Sequence, residues 1–219
     1  TYRKPEGLSI QAYEDSLVQE LEETIASHPD EIVAWVAEPI VGAALGAVEP
    51  TEHYFERMAA VCRNHDIVLI ADEVMTGFAR TGTAFGCQHF GEHADILACA
   101  KGISGGYVPM GAIVARPEIL EPLQASGDPF FSGQTYCCTP LAAAVGNATL
   151  DYIEAKGLIE ASRSVGAHLK AGFEGLLDLP NVGDVRGRGL FLGIEFVADK
   201  ATKATIDPSK TFAKRVEAH

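Results

Sequence analysis

Lys101 follows the apolar and small run Ile96-Leu97-Ala98-Cys99-Ala100 and precedes the flexible stretch Gly102-Ile103-Ser104-Gly105-Gly106. An amine placed where a buried strand gives way to a glycine-rich turn is expected to be poorly solvated, which favours its neutral form. A neutral amine attacks a carbonyl to form a Schiff base. Upstream, a second apolar run, Ile67-Val68-Leu69-Ile70-Ala71, ends in Asp72-Glu73. Isolated Asp-Glu pairs are commonly turn or cap acids, but a carboxylate after such a run must find a cation or a donor. A protonated ring nitrogen of a cofactor would serve. Lysines at strand ends are commonly surface residues, yet the glycines after Lys101 allow close backbone approach of a ligand. An acid and an amine at the ends of two buried strands form a candidate active site.

Other constellations carry less. The lysine precedes its glycines, so the GxxxxGKS/T order of a nucleotide P-loop is absent, and Gly102, Gly105 and Gly106 do not make GxGxxG. Cys87-Gln88-His89 with His93 offers metal-ligand types, but no second ligand pair follows at zinc-site spacing, and surface and packing roles are the better reading. Cys62 and His65 read as the end of a helix. No Gly-x-Ser-x-Gly elbow supports a serine hydrolase. Ser132-Gly133-Gln134-Thr135-Tyr136 supplies hydroxyls and backbone donors of the kind a phosphate needs, though alone it is only a polar loop.

The elements that must position these residues follow from hydrophobic spacing. Tyr13, Leu17, Leu21 and Ile25 recur every four residues between Ser9 and His28, which predicts an amphipathic helix capped by Ser9 and stopped before Pro29. Ile32 to Ala37 reads as a buried strand ending at Glu38-Pro39, Glu52 to Asn64 as a helix, and Ile67 to Ala71 and Ile96 to Ala100 as further strands. Strand, helix, strand is a βαβ unit, so the fold class is α/β with a mostly parallel sheet flanked by helices on both faces. All three strands end in a charged residue, Glu38, Asp72 and Lys101, at the carboxyl edge where open parallel sheets bind ligands. Pro140 opens an alanine-rich helix through Tyr152, a second helix runs through Ile159 and Phe173, and Val182 to Arg188 and Leu190 to Val197 are strand-like. The change in texture near residue 155 suggests two parts: 1–154, and 155–219 as the start of a small α+β domain.

The 219-residue chain is 47% hydrophobic and 21% charged, as an ordinary globular protein is. Its formal charge of −13 argues against nucleic-acid or anionic-membrane surfaces, which would repel it. Five cysteines without a repeated spacing, no signal-peptide pattern and no apolar stretch of membrane-spanning length predict a reduced, cytoplasmic setting. The chain opens on Thr1 without a methionine and stops at His219 within a helical pattern, which reads as a piece of a longer protein.

These residues resemble the class III, fold-type I aminotransferases that use pyridoxal phosphate. The resemblance rests on Ala37-Glu38-Pro39-Ile40-Val41-Gly42, on Leu69 to Gly82 with its DEV-x-TGF-x-RTG block, on Ala94-Asp95-Ile96 through Lys101, and on Gly106-Tyr107-Val108-Pro109-Met110-Gly111-Ala112. Thr135-Tyr136 and Val185-Arg186-Gly187-Arg188-Gly189-Leu190 also fit, and all run in family order over nearly the whole chain. The resemblance implies part of the pyridoxal-phosphate-binding large domain in 1–154 and part of the C-terminal domain in 155–219. It makes Lys101 the Schiff-base lysine and proton carrier, Asp72 the partner of the pyridine nitrogen, and Val74 the residue packed on the ring. Thr135 becomes a ligand of the cofactor phosphate, reached across the interface of a homodimer with a shared active site. The substrates implied are a small-molecule amine and a keto acid.

Some positions depart from the family. Met75 stands where glutamine, able to reach the ring hydroxyl, is frequent; Cys138-Thr139-Pro140 replaces GHP; and Gly77-Phe78-Ala79-Arg80 replaces GFGR. Ala43 stands where the ornithine and γ-aminobutyrate branch has glutamate, which leans toward ω-amino acid:pyruvate transaminases. The family's phosphate cradle and its carboxylate-gripping arginine fall outside this segment, so by itself it should be catalytically incomplete. Two alternatives remain open here: a glutamate-1-semialdehyde-type 2,1-aminomutase, and a non-catalytic module that only binds the cofactor.

Overall fold

Ser9 accepts a hydrogen bond from Ala12 N at 3.0 Å and caps the first helix, α1 (Ile10–Ser27), which ends before Pro29 as its spacing predicts. The computed structural model describes residues 2–91, 94–127, 133, 135–210 and 212–217. Helix α1 lies against α2 (Tyr54–Asn64), where buried Glu14 of α1 faces Arg57 at 3.6 Å. A carboxylate on the inner face of a helix is retained here because a guanidinium meets it.

Strands β1 (Ala34–Ala37), β2 (Val68–Asp72), β3 (Ile96–Ala100) and β4 (Gly111–Ala115) form one sheet in that order. The first two pairings are parallel and the third is antiparallel, so the sheet is mostly parallel. The sequence reading missed β4. Its connection to β3 is too short for a right-handed crossover, so the chain can only return antiparallel.

Directly paired residues share a face. Trp35, Leu69 and Ala71 point toward Phe55, Ala59 and Cys87, and this side holds the core. Phe55 stacks on Phe90 at 5.5 Å between ring centres. The opposite side carries Val36, Ile70, Asp72 and Ile113. The expected cover on both faces is complete on one and partial on the other: among the described residues Val36 stays 59% exposed and Ile113 77%. Both-sided apolar strands such as Leu69-Ile70-Ala71 are built for a second cover that these residues supply only in part.

Helices α3 (Pro117–Ser126), α4 (Pro140–Ala155) and α5 (Leu158–Glu174) follow, and then a second sheet of β5 (Val182–Arg188), β6 (Phe191–Asp199) and β7 (Ala204–Thr205), with α6 (Phe212–Glu217) last. Thr139 caps α4 through Ala142 N, with Pro140 at its first position. No helix among the described residues is long and apolar enough to cross a membrane.

Helix α5, the turn between β5 and β6 and the turn around residues 80–82 meet at backbone distance. A Cβ on Gly166 of α5 would stand 2.1 Å from Gly189 O, and one on Gly189 would stand 2.4 Å from Thr81 C. Ser162 Oγ donates to Arg80 O at 3.0 Å, and Arg163 donates to Gly82 O at 2.8 Å. Helix α5 therefore clamps the turn around residues 80–82 against β5 and β6. Gly166→Ala should cost about 3 kcal/mol in urea unfolding through overpacking. Gly172→Ala, in the same helix with nothing within 4 Å, should instead gain about 0.5–1 kcal/mol from helix propensity.

Candidate active site

Asp72 is the last residue of β2 and pairs with Ala98, so the neighbouring strand reaches Lys101 a few residues further along the same edge. β1 ends at Ala37 opposite Ala71, which sets Glu38 beside this pair. The strand register thus sets the three charged strand ends at one edge of the sheet, and of the three only Lys101 lines the smaller cavity described below.

The two adjacent acids have separate tasks. Side chains alternate sides along a strand, so Asp72 and Glu73 diverge. Glu73 is fully buried and accepts from Thr76 Oγ1, from Gly86 N at 2.8 Å and from Cys87 N at 2.7 Å. Its backbone N donates to Ala98 O at 2.9 Å, and its carbonyl accepts from Gly77 N at the same distance. Asp72 accepts from Val74 N at 3.0 Å; its other carboxylate oxygen has no donor among the described residues. Glu73 therefore fixes the turn from which Asp72 and Val74 project.

Lys101 is exposed, which corrects the poorly solvated amine expected from its neighbours. The chain leaves β3 at Ala100 and enters a short 3-10 turn with Lys101 in the left-handed region, φ 45°, and this lifts the side chain off the strand end. Its Nζ stands 2.8 Å from Met75 Sδ. A thioether is only a weak acceptor, and no carboxylate pairs with the amine among the described residues. Gly102 eases a close approach: a Cβ there would lie 3.1 Å from Phe78 Cβ, tighter than ordinary contact.

Val74, Met75, Phe78 and Lys101 line a cavity of about 260 Å³, whose far wall is Leu190 and Phe191 from the second sheet. Arg80 also lines it. Met75 is wedged under Gly42, where a Cβ would be 2.8 Å from its Cγ, and Glu38 holds Gly42 N at 2.7 Å. A larger cavity, about 1440 Å³, runs between α1, residues 41–51 and the second sheet, and includes Glu38 but not Lys101. The amine lies in the smaller of the two cavities.

Thr135 is exposed in the turn before α4 and is not among the residues lining the lysine cavity. Its neighbours Ser132 and Gln134 lie outside the described residues, as does His93. Cys87 is buried beside Glu73, and His89 Nε2 meets Thr81 O at 3.0 Å. Burial and the nearby Arg188 charge lower the His89 pKa. No metal-holding group of acids, histidines and cysteines forms among the described residues. Sequence reasoning missed the separate task of Glu73 and the wall from Leu190 and Phe191. For Glu73 the two-residue period of a strand was the available signal; for the wall there was none short of the tertiary fold.

The class-III aminotransferase family model matches residues 2–218. An uncharacterized aminotransferase of Sinorhizobium fredii is 41% identical over 202 residues, covering 90% of this chain and 43% of the relative. Gamma aminobutyrate transaminase 2 of Solanum lycopersicum is 35% identical, covering 92% of this chain and 45% of that protein. The crystal structure of a thermostable (S)-enantioselective omega-transaminase from Thermomicrobium roseum superposes with a TM-score of 0.94 at 44% identity, over 99% of this chain and 48% of that one. The chain spans under half the length of these relatives.

Burial, reinforced by the Glu73 charge, pushes the Cys87 thiol from its ordinary 9.0 up to about 12 and the Cys99 thiol up to about 11. Above pH 9 the unfolded chain releases these protons while the folded chain keeps them. Stability from this source is full below pH 9 and is lost as pH rises toward 12. Alkaline unfolding curves should show that decline, and Cys87→Ala should remove part of it. A chromogenic thiol reagent at neutral pH should react fast with Cys137 and Cys138, which are exposed, and slowly with buried Cys62, Cys87 and Cys99.

Proposed function

The chain belongs to the class III aminotransferase family, and from that membership we propose that the whole protein is a pyridoxal-phosphate-dependent aminotransferase. It moves an amino group between an amine or ω-amino acid and a keto acid. The observation that carries this reading is the cavity where Lys101 Nζ, free of any carboxylate partner among the described residues, shares a wall with Val74, next to the strand that ends in Asp72. Relatives described as omega-transaminase and gamma aminobutyrate transaminase support the amine and ω-amino acid side of the reaction.

The residues present fit the cofactor. An uncompensated amine suits an aldehyde, and a carboxylate with one oxygen left over suits a ring N–H. Pyridoxal phosphate, when bound, supplies an aldehyde that condenses with amines and a ring that accepts the electron pair released at the substrate carbon. With the cofactor bound, Asp72 would keep a proton on the ring nitrogen through its free oxygen. Val74 would hold the ring face, on a turn that Glu73 fixes. Lys101 Nζ would take the proton from the substrate carbon and return it on the other side of the exchange. Thr135, exposed and apart from the lysine cavity, serves the phosphate held by a second subunit, so that the active unit is a homodimer.

Residues 1–154 then belong to the large domain and 155–219 to the beginning of the small one. Five cysteines without a disulfide support a cytoplasmic setting. Borohydride reduction of the full-length protein with pyridoxal phosphate should fix the label on Lys101 in the peptide map; a label elsewhere contradicts the assignment. Lys101→Ala should lose the label and slow the amine half-reaction by at least about 100-fold. Asp72→Asn should keep the label yet slow the same half-reaction by about 100-fold or more, read by single-turnover absorbance.

A further inference from the structure

Glu38 follows β1 at the sheet edge that carries Asp72 and Lys101, yet it lines the larger cavity and not the one that holds the amine. Its carboxylate turns to backbone: Glu38 Oε2 accepts from Gly42 N at 2.7 Å, a charge-assisted bond of the stronger kind. Pro39 and Ile40 between them are buried. Gly42 O accepts in turn from Gly46 N at 2.7 Å and Leu45 N at 3.3 Å, and Val41 exchanges backbone hydrogen bonds with Val48 at 2.9 and 3.1 Å. Arg186 of β5 donates to Leu45 O at 2.7 Å and to Gly46 O at 2.8 Å. The loop that starts at Glu38 is therefore tied at both ends.

Met75 lies in the space that a side chain at Gly42 would need. A Cβ there would stand 2.8 Å from Met75 Cγ, 3.2 Å from Met75 Cβ and 2.9 Å from Glu38 Oε2. Cβ and Cγ are the inner atoms of Met75, on the turn that Glu73 fixes, so they have little room to move aside. Beyond them, Met75 Sδ stands 2.8 Å from Lys101 Nζ. Methionine turns about three bonds and fills whatever gap surrounds it. Gly42 closes that gap on one side and Lys101 on the other. A thioether is a weak acceptor, so the contact gives the amine a place without an ion pair.

We propose that Glu38 is a positioning residue for the reaction: by holding Gly42 N it seats Met75 against Lys101, and so fixes where Nζ stands when an aldehyde enters. Glu38 acts through a chain of contacts, from its carboxylate to Gly42, from Gly42 to Met75, and from Met75 to the amine. This rests on Lys101 being the lysine that condenses with pyridoxal phosphate, and it extends that reading to an acid outside the lysine's cavity. An acid that merely closed a turn would stabilise the fold and leave the reaction of the amine alone.

The test uses the full-length protein stripped of cofactor, with Glu38→Ala, Glu38→Gln, Met75→Ala and the double variant of Glu38→Ala with Met75→Ala. Saturating pyridoxal phosphate is added, borohydride traps the condensation at timed intervals, and the labelled Lys101 peptide is quantified. Misplacing a reacting group by about 1 Å costs up to about 100-fold in rate, so Glu38→Ala should slow labelling at least about tenfold. Glu38→Gln keeps an oxygen for Gly42 N and should restore the rate to within about threefold. The double variant should be within about twofold of the slower single one, because both residues act through one contact. Trinitrobenzenesulfonate needs no fixed approach, and it should label Lys101 in every variant within about twofold of wild type. If melting curves show that Glu38→Ala does not fold, Glu38→Asp carries the test: one methylene short of Gly42 N, it should fall between the alanine and glutamine variants. A wild-type rate in Glu38→Ala or Glu38→Asp overturns the proposal alone, and so do single effects that add in the double variant. A wild-type label on a different lysine overturns the reading of Lys101 and the proposal together.

Discussion

The buried carboxylate of Glu73 is the contact on which the site depends. It gathers a hydroxyl from Thr76 and two backbone N–H groups from Gly86 and Cys87, so that two stretches of chain separated by a loop converge on one side chain. An acid with no exposed surface is tolerable only when its oxygens are met in this way. Because Glu73 is anchored below the sheet, Asp72 is forced to the other side, and Val74 and Met75 follow on a turn with little freedom. The same charge adds to burial in raising the Cys87 and Cys99 thiols, so one acid touches both the core and the turn of the site.

Around that anchor the site is assembled from edges. Parallel pairing of β1, β2 and β3 aligns Glu38, Asp72 and Lys101 at one end of the sheet. Glycines then allow close approaches: Gly42 over Met75 and Gly102 against Phe78. The second sheet supplies Leu190 and Phe191, so neither sheet alone makes the cavity.

Much of this was legible in the sequence because strand ends carry their own signals. Apolar runs stopping at Asp72 and Lys101, and the Ser9 cap with its four-residue repeat, are local patterns, and they stand where the pattern put them. What stayed hidden was decided by geometry. The left-handed turn at Lys101 reversed the expected burial of its amine. Strand β4 is short and arrives by a tight return, so it lacks a distinct flank. Partial cover of one face of the sheet could not be told from strands that are apolar on both faces. The walls from Phe78 and Phe191 meet only after segments far apart in the chain are in place.

That last distance also divides the site into a local and a remote part. Ser162 and Arg80 are separated by 82 positions, and their hydrogen bond closes only when α5 is seated. β2 and β3 pair over a shorter span. Loop-closure entropy grows slowly with length, so the longer contact costs only about 1 kcal/mol more than the shorter one. The alignment of Asp72 and Lys101 therefore rests on neighbouring strands, and the wall of the cavity on a contact made from far along the chain.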